Sequence, residues 1–336
     1  MADNQAVILR SSSFRQSLIL SAVFIGGLVL VNLLLFNPGQ VGVVILSGLY
    51  QGMLFFLVAA GLSIVFGLLD VLNLAQGSFF MLGAYIGFSV YGAFPAGSSL
   101  WLRFITALAA AILGGAILGA VTERVLIRPL YARPVFQIVL TFGLGIVFNE
   151  IVRAIYGPAG LIPIQPPAAL DTTFPIFGAQ FETYRVFIIL VGAVLMAAIL
   201  VLLQRTRTGI IIRAGVQDRE MVEALGINVR RIFTLVFALG MAVAALGGIT
   251  AAPFLGAYPA MGDQFLLSAV IVVVLGGMSS FEGTAIASIL VGLTRATAEQ
   301  VSLQYLQTPL LASLSILLIM VAVLLVRPSG LFGREP

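Results

Sequence analysis

Gln204–Arg231 reads QRTRTGIIIRAGVQDREMVEALGINVRR, the only long polar interval in a chain that is otherwise nearly continuous hydrocarbon. Nine of the chain's thirty formal charges (17 basic, 13 acidic) fall between Arg205 and Arg231, and six of the nine are arginines. Apolar runs long enough to cross a bilayer flank it on both sides, so the interval is a loop at a membrane surface. Asp218 is placed to cap a short helix, Arg219–Leu225, with Glu220 in its first turn, where the helix dipole favours an acid. Gly226 then supplies the stop. Met221, Val222 and Leu225 share one face of that helix at i, i+1 and i+4. With no core of its own to pack on, the helix rests on the membrane surface or inserts into a partner. A solvated connector between two spans is the alternative.

Composition sets the class. Hydrophobic residues make up 60% of the chain and charged residues only 9%, where a soluble domain carries about a quarter charged. The expectation is an all-α polytopic membrane protein, a single bundle of about eight to ten transmembrane segments, some broken or short. The chain has no Cys and no His, and all 17 basic residues are arginine. That removes thiol and imidazole metal sites, thiol nucleophiles and His general bases. Without Lys there is no Walker A motif, so any ATP-driven role borrows its nucleotide site from another chain. The pI near 9.8 fits a positive-inside loop bias and not a nucleic-acid footprint, because the arginines sit at span ends.

Taken in order, residues 1–17 resemble a cytoplasmic leader, and Leu18–Phe36 is a first span, too long for a signal-peptide core. Val41–Phe66 is a second span with a Gly48/Gly52 pair for close helix contact. Phe79–Tyr91 carries Gly83 and Gly87, and Phe104–Val121 carries Gly115 and Gly119 at similar spacing. Glu123, Arg124, Arg128 and Arg133 form a basic loop before the span Val135–Ile155. Residues 156–185 are rich in Pro and Gly with little charge, as an external loop should be. Val186–Leu203 and Ile232–Ala251 flank the polar interval of residues 205–231. Phe265–Leu275 and Thr284–Thr294 are eleven-residue segments, about 17 Å at helical rise and too short to cross alone. Arg295–Thr308 reads as the last outer loop before Pro309–Val326. With ten segments, every basic loop and both termini fall on one side.

Two of these segments are interrupted by similar motifs. Asn73-Leu-Ala-Gln-Gly-Ser78 and Ser279-Ser-Phe-Glu-Gly-Thr284 each set a polar residue, Gly, then Ser or Thr before an apolar helix. Freed backbone at membrane depth is tolerated only if buried in protein or lining a wet cavity, and paired broken segments point to a substrate path. Asn73, Gln76, Gly77 and Ser78, with Glu282, Gly283 and Thr284, are therefore the candidate path residues. Their helix N-termini would present unpaired N–H groups to an anionic or polar solute. Surface turns with Ser and Thr as N-caps are the alternative. Glu150 and Arg153, three apart on one helix, could pair near its outer end.

GLSIVFGLLDVLNLAQGSFFMLGAYIG, Gly61–Gly87, strongly resembles the signature of the integral-membrane permeases of branched-chain amino-acid ABC importers. RAGVQDREMVEALGINVRR, Arg213–Arg231, is similar to that family's cytoplasmic loop and is followed by the span Phe237–Ile249. GGMSSFEGTAIASILVG, Gly276–Gly292, looks like its third landmark. The resemblance runs in order from about Val41 to Val326, so the first span, 18–36, lies outside it. Gln76 stands where many members have His.

The resemblance implies a subunit that does no chemistry itself. Its partners would be a second permease, the same or different, two cytoplasmic ATPases carrying ATP and Mg, and an external solute-binding protein. Its place would be the inner membrane of a bacterial cell, with both termini cytoplasmic. It also implies that Arg219–Leu225 is a coupling helix seated in an ATPase groove, through Asp218, Glu220, Met221, Glu223, Ala224, Leu225 and Gly226. Two other classes stay open at this stage. A secondary transporter or channel would need an ion-coupling carboxylate deep in a span, and a membrane-embedded enzyme would have only carboxylates and hydroxyls to work with.

Overall fold

The computed structural model describes residues 2–95, 97–176, 179–217, 221–222, 226, 228–278, 280–308 and 310–333. The chain is helical almost throughout: α1 (Ala2–Leu35), α2 (Pro38–Leu69), α3 (Gln76–Ala93), α4 (Leu100–Thr122), α5 (Pro134–Tyr156), α6 (Thr183–Arg205), α7 (Arg207–Gln217), α8 (Val229–Leu255), α9 (Met261–Gly276), α10 (Phe281–Val301) and α11 (Leu310–Val326). Eight of the ten expected apolar segments fall within one of these helices; Leu18–Phe36 overruns the end of α1 by one residue, and Pro309 of Pro309–Val326 lies outside the described residues. Six of the described helices (α1, α2, α4, α5, α6 and α8) are each long and apolar enough to cross a membrane alone. The chain is an all-α polytopic membrane protein.

α2 is the axis of the bundle. From Tyr50 to Val65 every residue is buried, enclosed by α10, α8, α9 and α6. Lipid is as apolar as leucine, so contact here is driven by close backbone approach more than by hydrophobicity. Gly48 lies against Leu293 and Gly52 against the Ser288 carbonyl, where an added Cβ would sit 2.7 Å away. α2 and α10 are therefore antiparallel. α8 packs the same way on α2, with Gly240 against Gly61 and Gly247 against Leu57. The other expected glycine pairs also find partners: Gly83 and Gly87 meet Ala245 and Ile249, and Gly115 and Gly119 meet Ala245 and Met241. By contrast, α4, α5, α6 and α11 turn rows of exposed Leu, Ile, Val and Phe outward, as a lipid-facing shell should.

Long-range contacts fix which helix ends share a side. Arg327 Nη1 donates to Ser17 Oγ at 2.6 Å, and Gln204 Nε2 donates to Glu282 Oε1 at 2.7 Å. Arg128, in the turns that follow α4, reaches the Arg230 carbonyl at the start of α8. The basic segments thus gather at one end of the bundle. The opposite end carries the antiparallel hairpin β1 (Thr173–Ile176) and β2 (Ala179–Glu182). Glu150 and Arg153 pair there at 3.3 Å, both exposed.

Three expectations need correction. The two eleven-residue segments are longer: α9 has 16 residues and α10 has 21, joined at a bend of 120°. Arg295 and Glu299 are consequently not in an outer loop but on α10, which runs to Val301. A helix can carry these charges because they face a cavity and not lipid. Second, the polar interval contains a helix that the capping pattern does not announce, α7, with Ile212 buried and Thr206 Oγ1 accepting from Gly209 N at its start. Third, residues 156–185 hold a hairpin, its strands tied by the Phe174–Phe181 ring pair.

Candidate functional site

The first break is built from the end of α2. Asp70 takes a left-handed conformation (φ 54°) that stops the helix, its N–H still bonded to the Phe66 carbonyl. The chain then doubles back along α5. Leu74 N donates to Thr141 Oγ1 at 3.2 Å, and Thr141 donates to the Leu72 carbonyl at 3.4 Å. Asn73 Oδ1 accepts from Ala75 N at 3.1 Å. Gln76, fully buried at the first position of α3, donates from one amide nitrogen to the Val58 carbonyl of α2 (3.3 Å) and the Gly240 carbonyl of α8 (3.2 Å). The bare Cα of Gly61 leaves room for that amide. Ser78 Oγ donates to the Gly145 carbonyl, and Gly77 lies directly on the backbone of Gly262 at the start of α9. Freed backbone at membrane depth is thus satisfied by protein.

The second break sits at the basic end. Ser280 Oγ accepts from Gly283 N at 3.0 Å and caps α10. Thr284 Oγ1 donates to Ser63 Oγ of α2 at 3.1 Å, while Glu282 takes its hydrogen bond from Gln204. Gly283 lies on the Gly276 carbonyl, and the C-terminal segment closes over the bend through Leu331 N to the Leu275 carbonyl (2.8 Å). Among the described residues the two breaks are not bonded to each other. α9 links them: Gly262 in its first turn meets Gly77 and Gly276 at its end meets Gly283, about 21 Å apart at helical rise. Of the coupling residues, Asp218, Glu220, Glu223, Ala224 and Leu225 lie outside the described residues. Met221 is exposed and Val222 buried, and Gly226 has φ 80°, the left-handed form expected of a helix stop.

Gln76→Ala is expected to lower the stability of the folded chain by about 1–3 kcal/mol, because it empties a packed site and removes the Gln76 Oε1 acceptor to which Asn73 Nδ2 donates at 3.4 Å. Thermal unfolding of the purified variant measures this; an unchanged midpoint would mean the two carbonyl bonds are dispensable.

A cavity of about 440 Å³ opens beside α2 toward the hairpin end. Its polar lining includes Gln51 of α2, Arg185 of α6, Gln264 of α9, and Arg295 and Glu299 of α10, with Tyr258 from the loop before α9; Ser47, Ser268 and Gln300 line it as well. Leu54, Phe55, Phe254 and Phe265 form the apolar part of its wall. Gln51 Nε2 donates to Glu299 Oε2 at 3.0 Å. Arg185 pairs with Glu182 at 3.0 Å, its guanidinium 5.0 Å from the centre of the Tyr50 ring and 4.9 Å from that of Phe254. Arg295 rests over Phe55 at 5.5 Å. Burial raises the Tyr258 hydroxyl above its ordinary value of 10.0, partly offset by Arg295, so it stays a neutral donor to Gln264 at 2.8 Å. The size, with an apolar wall beside charged, amide and hydroxyl groups, suits a small polar organic solute. No motif marks these residues in sequence. The available signal is Arg295 and Glu299 four apart, with Gln51 inside an otherwise apolar span.

Comparison with known proteins agrees with the geometry. The family described as branched-chain amino acid transport system / permease component matches residues 44–324. The high-affinity branched-chain amino acid transport system permease protein LivH of Salmonella typhimurium is 28% identical over 297 residues, covering 86% of this chain and 94% of that protein. The corresponding BraD of Pseudomonas aeruginosa is 28% identical over 303 residues, covering 86% and 95%. LivM of Escherichia coli is more distant, 27% identical over 271 residues and covering 72% and 61%. Among solved structures, a chain of PsaBC from Streptococcus pneumoniae in complex with Fab aligns over 91% of this chain and 94% of that one, at 16% identity and a TM-score of 0.43. With the family covering most of its length and a buried, twice-broken helical bundle beneath the match, the chain belongs to the permease-component family of branched-chain amino-acid transport systems.

Proposed function

We propose that this chain is one half of the membrane path of an ATP-driven importer of branched-chain amino acids. The observation that carries the reading is the family match over residues 44–324, on a chain whose most buried helix borders a cavity with apolar walls and both signs of charge. Similarity both to LivH-type permeases and to LivM supports pairing with a second, related permease. The basic end faces the cytoplasm of a plasma-membrane protein, as arginine-rich loops do. This places residues 1–17 and the C-terminus inside and residues 156–185 outside. The first span, residues 18–36, packs within α1 at the flank of α10.

In this reading solute passes along α2. Asn73, Gln76, Gly77 and Ser78 at one end of α9, and Glu282, Gly283 and Thr284 at the other, are the points about which the path changes shape. Residues 205–231 transmit the force. Asp218, Glu220, Met221, Glu223, Ala224, Leu225 and Gly226 form the element that seats in a groove of the partner ATPase, which holds ATP and Mg. An external solute-binding protein delivers the amino acid.

The test uses the complex expressed with its ATPases and its external binding protein. Leucine-loaded binding protein is expected to accelerate ATP hydrolysis several-fold; hydrolysis indifferent to it contradicts the reading. Leu225→Asp is expected to lose most of the copurifying ATPase, since a buried apolar anchor contributes about 2 kcal/mol or more at such a contact. Normal copurification of that variant would remove the coupling assignment.

A further inference from the structure

Two residues that line the outer cavity each carry a buried polar atom without a hydrogen-bond partner, and the two are of opposite kind. One is Arg295 Nε, a donor; the other is Gln51 Oε1, an acceptor. The orientation of the Gln51 amide is settled by its neighbour. Its nitrogen faces the Glu299 carboxylate at 3.0 Å, and a carboxylate accepts but does not donate, so the oxygen must be the free atom. Arg295 has no ion pair and no hydrogen bond among the described residues; its only contact of this kind is the face of Phe55. Arg295 and Glu299 stand one turn apart on α10, where Cβ atoms are about 5–6 Å apart.

We infer that this cavity is a binding site for a zwitterionic α-amino acid with an apolar side chain. The assignment rests on the transport reading above and adds to it the groups that recognise the solute. The carboxylate docks on the terminal nitrogens of Arg295, whose planar guanidinium suits a carboxylate and has no ion pair among the described residues. The ammonium group docks on the exposed carboxylate of Glu299, which the Gln51 amide holds in place, and gives that carboxylate its counter-charge. A single solute carrying both charges on one carbon matches the Arg295 guanidinium and the Glu299 carboxylate together; an anion or a cation alone matches one. Leu54, Phe55 and Phe265 then take up the side chain. Arg185 is committed to Glu182 and stacked against Tyr50 and Phe254, so it shapes the wall and leaves Arg295 as the carboxylate anchor.

Two measurements on the full complex test the assignment. In the first, the thermal midpoint of the complex in nanodiscs, without the binding protein, is read with millimolar L-leucine. Two analogues serve as controls: 4-methylpentanoate, which lacks the amino group, and 3-methylbutylamine, which lacks the carboxylate. Leucine is expected to raise the midpoint and neither analogue to match it. The shift should vanish in Arg295→Ala and in Glu299→Gln and return in part in Arg295→Lys. In the second, leucine uptake per assembled complex should fall at least ten-fold in Arg295→Ala. An equal leucine shift in wild type and Arg295→Ala overturns the site, as does an equal shift with 4-methylpentanoate. If wild type takes up leucine and Arg295→Ala does so at the same rate, the site is wrong and the transport reading stands. If wild type takes up no branched-chain amino acid, the transport reading fails and the site falls with it.

Discussion

Gly77→Leu is expected to abolish uptake. A Cβ at this position would lie 2.0 Å from the Gly262 carbonyl oxygen and 2.8 Å from its carbon. These are backbone atoms at the start of α9, and a side-chain rotation cannot move them aside. Gly262 also meets Gly77 from the other side, since its own Cβ would be 2.9 Å from the Gly77 carbonyl oxygen. The two helix starts therefore touch backbone to backbone, and leucine must push α9 away from α3. Overpacking of a filled interior costs about 1–3 kcal/mol for added methylenes, and a backbone clash belongs at the upper end of that range. α9 also closes the second break against Gly283 and stacks Phe265 on Phe80 at 4.4 Å, so displacement at one end propagates along a packed rod. Uptake at matched membrane levels of the chain is the measurement, and Gly77→Ala should lower uptake less than Leu does. Wild-type uptake by Gly77→Leu would mean that the α3–α9 contact is not part of the working structure.

Arg128→Ala should destabilise the basic end of the bundle by about 3 kcal/mol. Its partner Glu123 is fully buried in the turn that follows α4 and collects three donors. Arg128 Nη2 lies at 2.9 Å, the Tyr131 hydroxyl at 2.9 Å and Thr234 Oγ1 at 2.7 Å. Arg128 also reaches Thr234 of α8 directly, so the cluster fastens α4 to the helix that leaves the polar interval. Removing one partner of a buried pair strands a charge, at a cost of about 3–5 kcal/mol. The lower end applies because the Arg128 side chain is 27% exposed and water can reach the vacated side. Thermal unfolding of Arg128→Ala and of the double variant Arg128→Ala/Glu123→Gln measures this. The double variant should recover much of the loss, because it removes the stranded charge; two equal losses would show that the pairing itself matters little.

The buried bundle was legible in the sequence because its markers are local. Gly48 and Gly52, like Gly83 and Gly87, stand four apart in apolar runs, and each met the partner helix that such spacing invites. Asp70 and the Asn73–Ser78 motif interrupt hydrocarbon, so the break in the second span could be placed to within a few residues. What the motif could not convey is who satisfies Gln76: its acceptors, Val58 and Gly240, are 18 and 164 positions away. Arg295 and Glu299 were misplaced for a related reason. In a linear reading, charges that end an apolar run look like a loop. Only the packing of α10 on α2, which sets Gln51 beside Glu299, turns the same charges inward to a cavity. The hairpin of residues 173–182 was hidden in a stretch whose Pro and Gly content reads as irregular loop.

The central claim is that the chain conducts branched-chain amino acids at the expense of ATP. Its most direct test is uptake of labelled L-leucine into proteoliposomes holding the complete complex, with the external binding protein outside and ATP reaching the ATPases. The account predicts accumulation that requires hydrolysable ATP, is competed by isoleucine and valine, and is lost in Gly77→Leu. Leucine uptake that proceeds equally without ATP, or an assembled complex that accumulates none of the three, would contradict it.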